Sequence, residues 1–181
     1  MKKTLLYLSI FISLGLALFS RQVQAVSVAG ASAELVDQKA LKNDIRIEKL
    51  TLFLEYYKSP LAEYAEDFVI SADKYGVDWR LLPAISGVES TFAKNYIEGT
   101  YNAYGWGGGK IYFDSWEDSI EKINQALSEK YYRRGLDSPA KIAPVYCPPS
   151  RVWAGNVTYF MTKLENFEPE IDLGSQLISS L

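Results

Sequence analysis

Between residues 59 and 164, apolar side chains recur every three or four positions, in runs that end at glycine, proline or a basic cluster. Leu61, Ala65, Phe68, Ala72 and Tyr75 make one stripe, and Leu81, Leu82, Ile85, Val88 and Phe92 make the next. Trp116, Ile120, Ile123, Leu127 and Tyr131 follow, then Trp153, Val157, Phe160, Met161 and Leu164. A period near 3.6 with one apolar stripe per run predicts helices that pack those stripes together. The expected architecture is mainly α, of five or six helices. Lys110 to Phe113 reads as a short strand, so at most a small β-hairpin is expected.

The ends of these runs carry matching signals. Ser59-Pro60 suits a helix start, with a capping serine and proline at the first helical position. Gly76 suits a helix end, and Asp78 is placed to cap the next helix, in which Pro83 lies early enough to do limited damage. Asp114 or Ser115 opens a further helix, with Glu117 and Asp118 at capping-box spacing. Lys130, Arg133 and Arg134 suit its C-terminal end and Gly135 closes it. Ser138-Pro139 opens a short helix toward Tyr146, Pro148-Pro149 forces a turn, and Ser150 caps the last helix. Asn156-Val157-Thr158 matches a glycosylation acceptor but falls inside that helix. Upstream, residues 34–57 read as another helix through Leu41, Ile45, Leu52 and Phe53, too short and irregular for a dimerising coiled coil.

One carboxylate interrupts the second stripe. Glu89 lies four residues after Ile85 and seven after Leu82, so a helix points it into the apolar face. Lost solvation raises the pKa of such a group, and a carboxylic acid still protonated near neutrality can protonate a leaving oxygen. The structural alternative is a buried ion pair, for which Arg80 and Lys94 are near in sequence.

After Phe92 the helical pattern stops. Residues 95–110 hold five glycines among Tyr96, Tyr101, Tyr104 and Trp106. A phosphate loop is excluded, because Tyr104 stands where its first glycine belongs and Ile111 follows Lys110. The dinucleotide fingerprint fails because Lys110 occupies its last glycine position. What remains is a loop of flat aromatic faces with one amide, Asn102, suited to a saccharide groove or simply to packing on the helices.

Residues 1–25 read as an export signal. Lys2 and Lys3 precede an apolar run over 5–19, and Val23-Gln24-Ala25 resembles a cleavage site. The alternative is an uncleaved anchor, the one membrane attachment expected. The chain carries net charge −3, and its first 25 residues hold three cations and no acid, so the remainder stands at −6. That balance argues against nucleic acid and charge-driven adhesion to anionic surfaces. The chain has no histidine, which removes Ser-His-Asp and Cys-His catalysis and His-ligated metals. Cys147 is the single cysteine, so no intramolecular disulfide forms. No metal or other cofactor is expected.

The segments GVESTF, NAYGW and FDSWEDSI, followed by Tyr146, together resemble the bacterial N-acetylglucosaminidase family, also called mannosyl-glycoprotein endo-β-N-acetylglucosaminidase-like, of the lysozyme-like superfamily. The resemblance spans about residues 59–165, and lytic transglycosylases are more distant kin. It implies a lysozyme-like domain over 59–167, after a leader and N-terminal helix over 26–58 and before a loose tail over 168–181. It also implies a secreted, periplasmic or cell-envelope glycosidase acting on β-1,4-linked N-acetylglucosamine in peptidoglycan or a related N-acetylated glycan. Carried over residue by residue, Glu89 is the general acid, and Asn102, Tyr104, Gly105 and Trp106 line the sugar groove. Tyr146 is the aromatic residue near the acid, able to hydrogen-bond at the reaction centre. A second carboxylate has no clear match. Glu98, Asp114 and Glu117 are the candidates, the last two equally explained as helix caps. Without one, the substrate's N-acetyl oxygen or its 6-hydroxyl would serve, or the domain binds glycan without cutting it.

Overall fold

A computed structural model describes residues 44–168. The expected export signal, the leader, residues 34–43 of the expected first helix, and the tail from residue 169 lie outside the described residues. A compact unit begins at Ile45. Its helices are α1 (Ile45–Tyr56), a 3-10 turn (Ala62–Tyr64), α2 (Ala65–Tyr75), α3 (Leu81–Ser90), α4 (Trp116–Lys130), a second 3-10 turn (Tyr132–Arg134), α5 (Pro139–Tyr146) and α6 (Trp153–Glu165). Mainly α is the correct class, and no strand forms among the described residues. None of these helices is long and apolar enough to cross a membrane.

The helix α1 belongs to the same core as the rest. Leu50, Phe53 and Leu54 are sealed against α2, the first 3-10 turn and α6. The helix expected to begin at Ser59 begins at Ala65 instead, after the 3-10 turn. Ser59 does cap, but locally: its Oγ accepts the Leu61 amide at 3.0 Å and donates to the Phe92 carbonyl at 2.9 Å. That second bond ties the turn to a distant loop and delays the helix. Gly76 ends α2 as expected, at φ +65°, with its amide on the Ala72 carbonyl.

Helix α3 is the centre of the molecule. Every residue from Leu81 to Gly87 is buried, and Glu89 is its one charged residue. A helix that is apolar all round belongs inside, and each of Leu81, Leu82 and Ile85 contributes about 1.5–3 kcal/mol by burial. Gly87 permits close approach to α6. A Cβ there would stand 2.6 Å from Cζ of Phe92 and 3.1 Å from Phe160. α6 covers α3, α5 covers α6, and α4 closes the other side against α2.

The face expected for α4 is the one buried, from Trp116 through Ile120, Ile123 and Leu127 to Tyr131. Its start is a reciprocal cap. Ser115 Oγ accepts the Asp118 amide at 3.2 Å, and Asp118 Oδ2 accepts the Asp114 amide at 3.1 Å. The expected strand at 110–113 does not form, because its backbone groups are engaged elsewhere. The Phe113 amide donates to the Thr100 carbonyl, and the Ile111 carbonyl accepts from the side chain of Asn102.

Candidate functional site

The last turn of α3 brings Glu89 to the protein surface and then reverses the chain. Thr91, Phe92 and Ala93 all have positive φ, at 54°, 57° and 58°. Each such residue without a glycine costs about 1–2 kcal/mol. The expected extension of the α3 stripe to Phe92 is therefore corrected: its ring reaches the core, but from a left-handed turn beyond the helix. Three contacts hold that turn. The Ala93 amide donates to Ser90 Oγ at 2.9 Å, the Phe92 carbonyl accepts from Ser59, and the Phe92 ring is packed among Phe53, Tyr57 and Phe160. Ser90 Oγ also lies 2.8 Å from the Ala103 carbonyl, so it links the acid's helix to the aromatic loop.

Asn102 organises that loop. Its Nδ2 donates to the carbonyls of Trp106 at 2.8 Å and Ile111 at 3.1 Å, and its Oδ1 accepts the Trp106 amide at 3.2 Å. With all these bonds made and 2 % of the residue exposed, it acts mainly as the scaffold that folds the turn over Glu89. Gly105 sits at φ +73° directly on the acid. A Cβ at this position would lie 2.9 Å from Glu89 Cδ and closer still to Oε2, so any other residue would have to displace the carboxylate.

Glu89 is half-buried, and its partner is an indole. Trp153 Nε1 donates to Oε1 at 2.7 Å from the first turn of α6. Neither nearby cation pairs with the acid. Arg80 is bound to Asp78 and Glu165, and Lys94 donates to the Tyr57 carbonyl. Burial pushes the carboxyl above the usual carboxylate range, and the indole hydrogen bond offsets part of that. A half-buried carboxyl that has no cation, is held at one oxygen and lines a cleft is suited to give up a proton.

Two hollows meet at Gly105. One, of about 550 Å³, is lined by Glu89, Tyr96, Ile97, Asn102 and the glycines of the loop. The other, of about 240 Å³, is lined by Trp106, Lys130, Tyr131 and Tyr146. Lys130 Nζ stands over the Trp106 ring there, 5.2 Å from its centre. Tyr146 stacks on Trp153 at 4.9 Å and 27°, and its hydroxyl donates to the Tyr104 carbonyl at 2.6 Å. Burial first, and the charge of Glu89 second, keep this phenol well above its ordinary pKa, so it stays neutral. Its hydroxyl thus holds the loop in place beside the acid.

The structure brings together Glu89, Asn102, Gly105, Trp106 and Tyr146. Tyr104 is the exception. Its ring is fully buried in the core and lines neither hollow; only its carbonyl serves the site, by accepting from Tyr146. The reading of Tyr104 as a groove-lining ring is therefore corrected: the core takes the ring. The three second-carboxylate candidates, Glu98, Asp114 and Glu117, are all exposed, and Glu89 is the one acid lining the two hollows. Glu117 bonds with Ser115, which lowers its pKa as befits a cap. Sequence reasoning missed two contributors. Trp153 was legible only as an inward-facing residue and Ser90 not at all, since long-range partners leave no local pattern. No protein-family model matches the chain, and no curated protein matches it either.

Proposed function

We propose that this protein cleaves glycosidic bonds in peptidoglycan or a related N-acetylated glycan, with Glu89 as general acid. The observation that carries this reading is the Glu89 carboxyl itself, partly desolvated, free of any cation, fixed at Oε1 and lining a cleft. The chain's acidic balance fits a substrate recognised by stacking and hydrogen bonds rather than by charge. Trp106 and Tyr146 line the smaller hollow, and the loop glycines line the larger one with the acid, leaving room there for a sugar.

The chemistry uses a single protein carboxyl. Glu89 gives its proton to the bridging oxygen as the C1–O bond breaks, and the departing sugar leaves as an alcohol. The absence of a second acid from the two hollows favours a nucleophile supplied by the substrate. If the 6-hydroxyl of the same sugar attacks C1, its proton passes to the Glu89 carboxylate and an anhydro-sugar is left. If the N-acetyl oxygen attacks first, water later opens the cyclic intermediate and the product is a reducing sugar. The first of these is the transglycosylase reading and the second is hydrolysis at N-acetylglucosamine.

The test is digestion of purified peptidoglycan by residues 26–181, wild type beside Glu89→Gln, with products read by mass spectrometry. Soluble fragments that fall about 10²–10⁴-fold in the variant support the reading. Reducing N-acetylglucosamine ends mean hydrolysis there, and anhydro ends mean transglycosylation. Binding of wall glycan by both proteins, with no fragments from either, would replace the enzyme with a glycan-binding module.

A further inference from the structure

We propose that Trp153 is a positioning residue that decides which oxygen of Glu89 carries the acid proton. This inference rests on Glu89 being the acid of the reading above. The indole N–H lies on Oε1 at 2.7 Å. An indole nitrogen only donates, so it requires an accepting oxygen in both protonation states of the carboxyl. The carbonyl oxygen of a carboxylic acid is its stronger acceptor, and its hydroxyl oxygen carries the one donor. With Oε1 committed to the indole, the proton is left to Oε2. That oxygen occupies the space a side chain at Gly105 would need, and Gly105 lines both hollows. The proton is thereby placed against Gly105, in the wall of the cleft that Glu89 lines.

The geometry is built to keep this choice. Trp153 is 3 % exposed and opens α6, and Tyr146 of α5 stacks on its ring. The same Tyr146 holds the Tyr104 carbonyl, one residue before Gly105. A single stack thus fixes both walls around the carboxyl. The group facing Glu89 from α5 is the Tyr146 phenol, which stays neutral. α6 contributes the indole, the loop contributes the Gly105 backbone, and no lysine or arginine pairs with the acid among the described residues. The indole is accordingly the hydrogen-bond donor that moderates the acid's proton affinity.

Two readouts test this. The first is the indole 15N–1H resonance of Trp153 followed with pH in the wild-type chain and in Glu89→Gln. The expected result is a resonance that titrates above the ordinary glutamate range in the wild type and is flat in the variant. A flat wild-type resonance, or one that still titrates in Glu89→Gln, overturns the proposal. The second is Trp153→Phe, which keeps a ring against Tyr146 and removes the N–H. Without that donor the carboxyl holds its proton to higher pH. The alkaline limb of kcat should move upward while kcat on the acid plateau falls about tenfold or more, through lost positioning, at similar KM. A uniform loss with the limb unmoved means a structural role only and overturns the proposal. If the wild type cuts no glycan, the cleavage reading falls by itself, and the indole titration still decides whether Trp153 governs Glu89.

Discussion

Oε2 of Glu89 lies in the space that a side chain on Gly105 would occupy, so the acid and the loop above it fit only because residue 105 has no Cβ. The same glycine stands at φ +73°, where other residues are strained. Gly105→Ala therefore carries two penalties. The backbone penalty is about 1–2 kcal/mol, seen as a lower midpoint in thermal or urea unfolding. The steric one is local, since the methyl must push the carboxyl off its indole or lift the loop. Cleavage should fall about 10²-fold, far more than so modest a stability loss accounts for. Activity that survives in proportion to the folded fraction would show that the carboxyl tolerates displacement.

Glu89 also makes stability depend on pH. Burial raises its folded pKa above the unfolded value, with the Trp153 bond opposing. A raised carboxyl stabilises the fold below its unfolded pKa, and that contribution is lost as pH rises through the folded pKa. The folded chain binds the extra proton, so stability declines across that window. In Glu89→Gln the amide oxygen can still accept from Trp153 and nothing titrates. Urea unfolding at several pH values from the ordinary carboxylate range upward should show a shallower decline in the variant. Parallel curves for the two proteins would mean that Glu89 is ionised at no cost.

Much of this was legible in the chain, for identifiable reasons. The stripes of α4 and α6 and the caps at Ser115 and Gly76 are local, and each formed where its pattern lies, whereas the last helix has Val152 at its N-cap and Ser150 only accepts the Trp153 amide. Glu89 stood out because it is the one charge on an otherwise apolar helix. The failures are all long-range. Ser59 spends its hydroxyl on a carbonyl 33 residues away, which shifts the start of α2. Phe92 turns left-handed because distant aromatic rings receive it. Tyr104 belongs to the core by packing with residues far from it in the chain, while its carbonyl accepts from Tyr146 of α5. No spacing rule contains the 64-residue separation between Glu89 and Trp153.

Asp78 gives the opposite pH dependence at the other end of α3. Burial raises its pKa, but the Arg80 guanidinium and amide outweigh that, and the carboxyl is held below the usual range. A depressed carboxyl stabilises above its unfolded pKa and loses that contribution as pH falls through the folded pKa. Arg80 in turn reaches Glu165 at the end of α6, so this cluster clips the start of the acid's helix to the helix that carries Trp153. Asp78→Ala should cost about 1–2 kcal/mol near neutrality, from the lost turn bond and charge-assisted contacts. The deficit should shrink in acid, where the wild type loses the same contribution. Chemical unfolding at neutral and acid pH checks this, and an undiminished deficit in acid would assign the loss to packing.

Tyr146 separates loop placement from proton chemistry. Its hydroxyl donates to the Tyr104 carbonyl at 2.6 Å, and its ring stacks on Trp153. Tyr146→Phe keeps the stack and deletes the bond, at about 1 kcal/mol of stability. The freed Tyr104 carbonyl loosens Gly105 over the acid, so glycan cleavage should drop several-fold. The phenol is neutral across the working range, because burial and the Glu89 charge both oppose its ionisation. Removing it therefore takes away no titrating group, and the pH profile of kcat should keep its limbs where the wild type has them. That outcome contrasts with Trp153→Phe, whose alkaline limb moves. If Tyr146→Phe instead abolishes one limb, the hydroxyl donates or accepts a proton in the reaction itself, and Tyr146 becomes a second catalytic residue beside Glu89.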